Sequence, residues 1–140
     1  MDEALEPTDG RSSNTEDERV GLFDVTQIAL ERALSGAAER QQILANNLAN
    51  ANTPQFKRSD VDFHSTLAGA LAAGDSTTQL DSVTFAPHTD TTTSMQADGN
   101  NVDVDTEMSN LSANALDYQS LIAVASARLK MLQTAIGTGQ

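Results

Sequence analysis

The sequence predicts an all-α protein in which two long helices, one near each end, pair as an antiparallel coiled coil. Two patterns carry this prediction. A ten-member apolar stripe near the C-terminus keeps a strict 4-3 spacing, and an Ala- and Leu-rich stretch near the N-terminus repeats apolar residues every seven positions. Aromatic residues make up only 4% of the 140 residues, which suits close helix packing better than a compact enzyme core.

Charge and composition exclude several classes of protein. The chain has no cysteine, which rules out disulfides and thiolate metal sites. Its formal net charge of −12 would repel DNA and anionic lipid. The apolar runs are too short to span a membrane, and the N-terminus lacks the apolar segment of a Sec-type signal peptide. Residues 1–20 hold seven acidic and two basic residues, and we expect a disordered acidic leader there.

The first long helix is predicted within residues 21–52, running from about Val25 to Asn50. Asp24 has the character of an N-cap, because Gln27 stands at the capping-box position. Pro54 disfavours helical backbone at the residue before it and should end the helix. Gly36 is a weak point that costs roughly 1 kcal/mol relative to Ala. The apolar stripe consists of Leu30, Leu34, Ala37 and Leu44, is continued by Leu48 and Ala51, and is interrupted by Gln41.

The second long helix is predicted within residues 104–137 and is the clearest pattern in the chain. Acidic residues precede or open it, Arg128 and Lys130 lie near its end, and Gly137 stops it, all in accord with the helix dipole. At ~1.5 Å per residue it would be about 50 Å long, and a stripe of that length needs a partner of similar length. We predict a helix-packing seam made of Val104, Met108, Leu111, Ala115, Tyr118, Ile122, Ala125, Leu129, Leu132 and Ile136.

The connector, residues 53–103, is predicted to be largely irregular. Phe63, Leu67 and Leu71 have helical spacing and allow a short helix. The remainder is rich in Ser, Thr and Asp, where Val83 and Phe85 could begin a strand that Pro87 ends. A loop of this length is unusual in a compact domain, so it is either mobile or ordered by a neighbour.

No arrangement of residues predicts catalysis. His64 and His88 have the surroundings of solvated loop residues rather than of a metal cluster. The segment "DGNNVDVDTEMS" fails the calcium-loop pattern at Val102, Asp103 and Ser109, and a turn followed by an N-cap fits it better. There is no Gly-rich phosphate loop, and no Ser stands in a recognisable catalytic context. We therefore predict a protein that is not an enzyme and needs no cofactor or metal.

Four asparagines crowd the end of the first helix, in "LANNLANANTP". One interpretation is a frayed helix end with local side-chain to backbone bonds. The other is a polar ridge in which Asn46 and Asn50 lie one turn apart, with Asn47 beside them. Because side-chain amides both donate and accept, such a ridge could hydrogen-bond neighbouring subunits without bringing charge into an interface.

The same stretch, as "LANNLANANTPQFK", closely resembles the N-terminal signature of the flagellar rod and hook family of axial proteins. The continuation "NTPQFKRSDVDF" and the segment from "DGNNVDVDTEM" to "LKMLQTAI" are similar to the proximal rod members of that family. The resemblance covers roughly residues 21–72 and 97–137. It predicts an assembly motif made of Asn46, Asn47, Leu48, Ala49, Asn50, Ala51, Asn52, Thr53 and Pro54.

The resemblance implies a structural subunit of the proximal rod of the flagellar basal body. Such subunits are exported by the flagellar type III apparatus, assemble in the periplasm, line the export channel and transmit torque to the hook and filament. The implied partners are FlgC-like rod subunits, a FliE-like basal-body adaptor, the export gate and further copies of the chain. An alternative that the acidic charge and amphipathic helices allow is a coiled-coil adaptor or chaperone of a type III secretion system.

One residue departs from the family pattern. The family commonly has Gly where Gln55 stands, directly after Thr53-Pro54. A turn that requires positive φ at this position would be less comfortable with Gln than with Gly. The loop after the first helix is therefore expected to differ from the usual course.

Overall fold

The computed structural model describes residues 13–74 and 77–137, with side chains described from Val25 onward except for Ile136. The chain is mainly helical. Its helices are α1 (Ser13–Ala49), α2 (Phe63–Ala72), α3 (Thr77–Asp81) and α4 (Val104–Gly137). Two short strands, β1 (Ser59–Asp60) and β2 (His88–Thr89), pair antiparallel with Asp60 opposite His88.

The two long helices contact each other and run in opposite directions. Near the start of α4, Glu107 bonds Asn47 close to the end of α1. Two turns further along α4, Asn114 bonds the carbonyl of Ala37, which lies earlier on α1. The prediction of a mainly helical fold with two long terminal helices is thus confirmed, and α4 occupies the predicted range within one residue.

Helix α1 begins twelve residues before its predicted start. It includes Ser13 and runs without a break through Asp24, which is therefore not an N-cap. Residues 13–20 belong to this helix and not to a disordered leader; the rest of that prediction, residues 1–12, lies outside the described residues. The acidic composition that suggested disorder also suits a helix N-terminus, where Glu and Asp are stabilised by the helix dipole.

The hydrophobic core lies mainly between α1 and the connector. One cluster joins Ala37 to Val61, Phe63 and Phe85, and a second joins Ala33 to Leu67 and Leu80. From α4, only Leu121 packs against these clusters. The connector thus contributes most of the large buried side chains, and the prediction that it is largely irregular misses its role in building the core.

The predicted short helix is α2, and its N-cap is Asp62, whose carboxylate accepts a hydrogen bond from the Ser65 amide at 3.0 Å. The predicted strand at Val83 and Phe85 is wrong, since this segment has no regular structure and Phe85 instead fills the core. The strand forms just after Pro87, where the backbone N–H groups are again able to pair.

Gly36 is a packing requirement rather than only a weak point of α1. A Cβ at this position would lie 2.6–2.8 Å from the Phe63 side chain. We expect Gly36→Ala to destabilise the fold by about 1–2 kcal/mol, because overpacking exceeds the gain in helix propensity. Gly69 in α2 has open space around it, so Gly69→Ala should stabilise by up to ~1 kcal/mol. Urea unfolding of both variants checks this, and equal effects would contradict it.

Candidate assembly surface

Asn47 is the central residue of a polar junction where the end of α1, strand β1 and the start of α4 meet. It is 1% exposed. Its Nδ2 donates to the Ser59 carbonyl at 2.6 Å and to Glu107 Oε2 at 3.0 Å, and its Oδ1 accepts the Ser59 amide at 3.0 Å. Because the amide is fully used inside the chain, Asn47 holds three segments together and does not face a neighbouring subunit.

The other asparagines of the run divide between two roles. Asn50 donates to the Asn46 carbonyl at 2.9 Å and accepts from the Thr53 hydroxyl at 3.1 Å, as the helix-end interpretation predicts. The side chains of Asn46 and Asn52 are exposed and point away from the core. Of the predicted ridge, Asn46 and Asn52 are thus the two that remain open to a neighbour.

A buried ion-pair network supports the junction from β1. Arg58 donates from Nε to Glu107 Oε1 at 2.6 Å and from Nη1 to Asp90 Oδ2 at 2.8 Å. The Glu107 side chain is fully buried and that of Arg58 is 13% exposed. Beside them, Arg40 holds both carboxylate oxygens of Asp60, at 2.8 and 3.0 Å. A buried carboxylate is tolerated when charged, bidentate or multiple donors surround it.

The network shifts the acid–base behaviour of its members. Burial would raise the pKa of Asp60, but the hydrogen bonds from Arg40 and the Val61 amide outweigh it and lower that pKa. Hydrogen bonds from Thr93, Thr92 and Arg58 hold the pKa of Asp90 far below its usual range. Burial would lower the pKa of Arg58, yet the bonds to Glu107 and Asp90 raise it. Each pair is therefore charged at neutral pH.

These lowered pKa values predict an acid-sensitive fold. A carboxylate whose pKa is lower in the folded chain stabilises above its unfolded pKa, about 3.9 for Asp, and that stabilisation is lost as the pH falls towards the folded pKa. We expect the melting temperature to drop as the pH falls below about 4. Asp60→Asn should melt lower than wild type at pH 7 and lose less on acidification. Circular dichroism melts between pH 7 and 2.5 test this, and parallel pH profiles would contradict it.

Two asparagines near α4 complete the junction, and the sequence analysis did not single them out. Asn100 donates to the carbonyls of Asn50, Ala51 and Thr53 at 2.9–3.1 Å, so it caps the end of α1 from 50 residues away. Asn101 accepts the Arg58 amide at 2.8 Å and donates to the Asp90 carbonyl. Two adjacent Asn directly after Gly99 were the available signal, since such residues bond local backbone.

Gln55 adopts the left-handed conformation that the family's Gly suggested, with φ of 64°. The loop therefore keeps its turn, and the expected change of course does not occur at this residue. Its backbone amide and its Nε2 each donate to the Asp98 carbonyl at 3.1 Å, and its side chain lies over Gly99, where φ is 81°. These bonds compensate for a conformation that costs a non-glycine residue roughly 1–2 kcal/mol.

Most of the seam predicted on α4 does not face α1. The residues that do, Glu107, Asn114 and Leu121, each stand one position before a seam residue. One residue is about 100° of helical rotation. The exposed seam residues are Val104 at 44%, Met108 at 55%, Tyr118 at 38%, Ile122 at 43%, Leu129 at 59% and Leu132 at 41%, while Leu111, Ala115 and Ala125 are half-buried.

On α1 the predicted seam lies nearer the core. Ala37 and Leu44 are fully buried, and Leu30 and Leu34 are half-buried. Gln41, which interrupts this stripe, accepts a hydrogen bond from Asn114 of α4 at 2.9 Å. The side of α4 that meets α1 is thus largely polar, whereas its exposed apolar face extends for most of a helix about 50 Å long. Exposed apolar surface of that extent is typical of an interaction site.

Within the described residues, nothing assembles a metal site or a membrane span. No group of three or more His, Cys, Asp or Glu is placed to hold a metal, and no described helix has the length and apolarity to cross a bilayer. His64 lies on α2 rather than in a loop, with Nε2 2.6 Å from Asp117 Oδ2 on α4, while His88 is exposed on β2.

Comparison with known proteins identifies the family. A family model described as "Flagella basal body rod protein" matches residues 29–57, which include the Asn-rich end of α1. The chain is 35% identical to the flagellar basal body rod protein FlgB of Bacillus subtilis over 130 residues, covering 86% of this chain and all of that protein. The chain belongs to the FlgB family of flagellar basal body rod proteins. FlgB of Yersinia enterocolitica is 33% identical and that of Escherichia coli 30% identical, each over 78% of this chain and 91% of the relative.

Membership of the FlgB family makes this chain a component of the flagellar basal body rod, with other rod components as its associates. It also accounts for the absence of a recognisable catalytic arrangement in the described residues, because the family is structural. The segment matched by the family model ends at Lys57, within the turn that Asn100 caps and directly before Arg58. The polar junction and the exposed apolar face of α4 are therefore features of a rod subunit.

Proposed function

We propose that this chain is a structural subunit of the proximal rod that transmits torque from the motor to the hook and filament and lines the export channel. The observation that carries the proposal is the exposed apolar face of α4. A seam of this length has no partner within the described chain, and leaving it in water is unfavourable by roughly 25 cal/mol per Å². Neighbouring subunits that cover it would form a continuous tube of packed helices.

Torque transmission requires that each subunit resist bending and sliding of its helices. Two features of the chain supply that stiffness. The antiparallel pair α1 and α4 is bolted near one end by Asn47, Glu107 and Arg58. Its middle is held by the bonds from Asn114 to α1. A buried, fully bonded polar network has few alternative arrangements and so rigidifies the structure around it.

We further propose that the seam of α4 forms a coiled coil with helices of adjacent subunits. The spacing that predicted a coiled coil within the chain fits packing between chains better, because α1 meets α4 on a different face. In the same assembly, the exposed Asn46, Asn52, Thr53 and Pro54 at the end of α1 would contact a neighbour. Asn47 and Asn50 shape that end from inside, and Leu48, Ala49 and Ala51 lie between the two sets.

The proposed partners are FlgC-like rod subunits, a FliE-like adaptor at the base of the rod and the flagellar export gate. The proposed route is type III export into the periplasm. A chain with small side chains, no cysteine and a modest core suits transit as an unfolded polypeptide, with folding completed on assembly.

Complementation of a strain that lacks this chain tests the proposed function. An epitope-tagged chain should restore swimming and co-purify with basal bodies stripped of their filaments. If the chain instead stays in the cytoplasm in strains that export other rod proteins, the adaptor or chaperone interpretation is favoured and the rod proposal fails.

A further inference from the structure

An open groove of about 420 Å³ lies between α1 and α4, on the side next to the exposed apolar face. Its floor is formed by small side chains, Ala37, Ala38 and Ala115, which let another helix approach closely. Its rim carries amide groups and the Tyr118 ring. None of the described side chains that line it is charged, although the whole chain carries a net charge of −12.

The groove contains a buried hydrogen-bond acceptor that is not satisfied. Asn114 is 1% exposed, and its Nδ2 donates to the Ala37 carbonyl and to Gln41 Oε1, both at 2.9 Å. Its Oδ1 finds no hydrogen-bond partner among the described residues. A buried carbonyl oxygen without a donor costs roughly 1–3 kcal/mol. A neighbour that brings an N–H or O–H group to this oxygen would remove that cost.

We propose that this groove receives a helix from a second copy of the chain, which donates a hydrogen bond to Asn114 Oδ1. The inference rests on the proposed rod function and names the contact by which copies meet. Copies that each carry a charge of −12 repel one another, so an uncharged, amide-rimmed groove is a favourable meeting place. The exposed amide of Asn46 is a donor of the required chemistry, and Tyr118 continues the groove into the apolar seam.

Photocrosslinking in assembled basal bodies tests the occupant. A benzoylphenylalanine is placed at Gln119 on the rim of the groove, and a matched control is placed at Ala127, an exposed α4 position outside groove and seam. We expect an adduct of two copies from Gln119 and little from Ala127. Adducts only with a different rod protein, or no adduct from Gln119, would overturn the proposal.

Filling the groove gives an independent test. Ala38→Leu should eliminate the Gln119 adduct and swimming without lowering the melting temperature of the free chain, whereas Ala127→Leu should retain both. An adduct that persists in Ala38→Leu would overturn the proposal. Failure of the rod function is distinguishable on the same blots: absence of the chain from basal bodies overturns both, while its presence without a two-copy adduct overturns the groove alone.

Discussion

Replacing Ile122 with aspartate will abolish swimming and leave the free subunit folded. Ile122 is 43% exposed in the single chain, so the substitution changes the free energy of unfolding by only about 0.5 kcal/mol. In the proposed rod the same position lies inside a helix–helix interface. A carboxylate buried there without a cationic partner costs several kcal/mol per subunit, which is enough to prevent assembly.

Val124→Asp is the matched control for this result. Val124 is 55% exposed and lies two residues further along α4, which places it on nearly the opposite side of the helix from the seam. Both variants should show wild-type circular dichroism and thermal melts. Soft-agar motility in the complemented deletion strain should be lost for Ile122→Asp and largely kept for Val124→Asp. Normal swimming of the Ile122 variant would refute packing along the seam.

Replacing Arg58 with alanine will unfold or severely destabilise the subunit. The change leaves Glu107, whose side chain is 0% exposed, with only the amide of Asn47 as a donor. Removing one partner of a buried ion pair typically costs about 3–5 kcal/mol. That loss is comparable to the whole stability of many small domains, which is 5–15 kcal/mol.

The Arg32–Asp81 pair provides the control for Arg58. It has the same 2.6 Å N–O distance as the Arg58–Glu107 pair, but its side chains are 31% and 62% exposed. Arg32→Ala should therefore cost less than about 1 kcal/mol. Urea unfolding measures both variants, and similar losses would contradict the structural role of the junction. The double variant Arg58→Met, Glu107→Leu should recover part of the stability, because it leaves no unpaired charge.

Local pattern in the sequence predicts much of the fold. The 4-3 spacing places α4, the spacing from Phe63 to Leu71 allows α2, and the family's Gly at position 55 correctly suggests a positive φ there. These features depend on residues close together in the chain. The boundary at Ser13 was missed because an acidic, polar segment has the composition of both a disordered leader and a helix N-terminus.

The candidate site was less predictable because its contacts join residues far apart in sequence. Asn47 and Glu107 are 60 positions apart, and Asn114 and Ala37 are 77 apart. A hydrophobic repeat cannot indicate a helix face whose contacts are polar, so the stripe on α4 was assigned to α1 when Glu107 and Asn114 occupy that place. The Asn run drew attention to the correct end of α1, but the roles of its members depend on partners from β1 and from Asn100.

The most direct test of the central claim, that the exposed seam of α4 is covered by neighbouring subunits in the rod, is protection of a cysteine at Ile122. The chain has no cysteine, so Ile122→Cys creates a single thiol. In the free subunit this thiol should react readily with a maleimide, whereas in purified basal bodies it should be protected until they are denatured. Equal labelling of the free and assembled chains would contradict the claim.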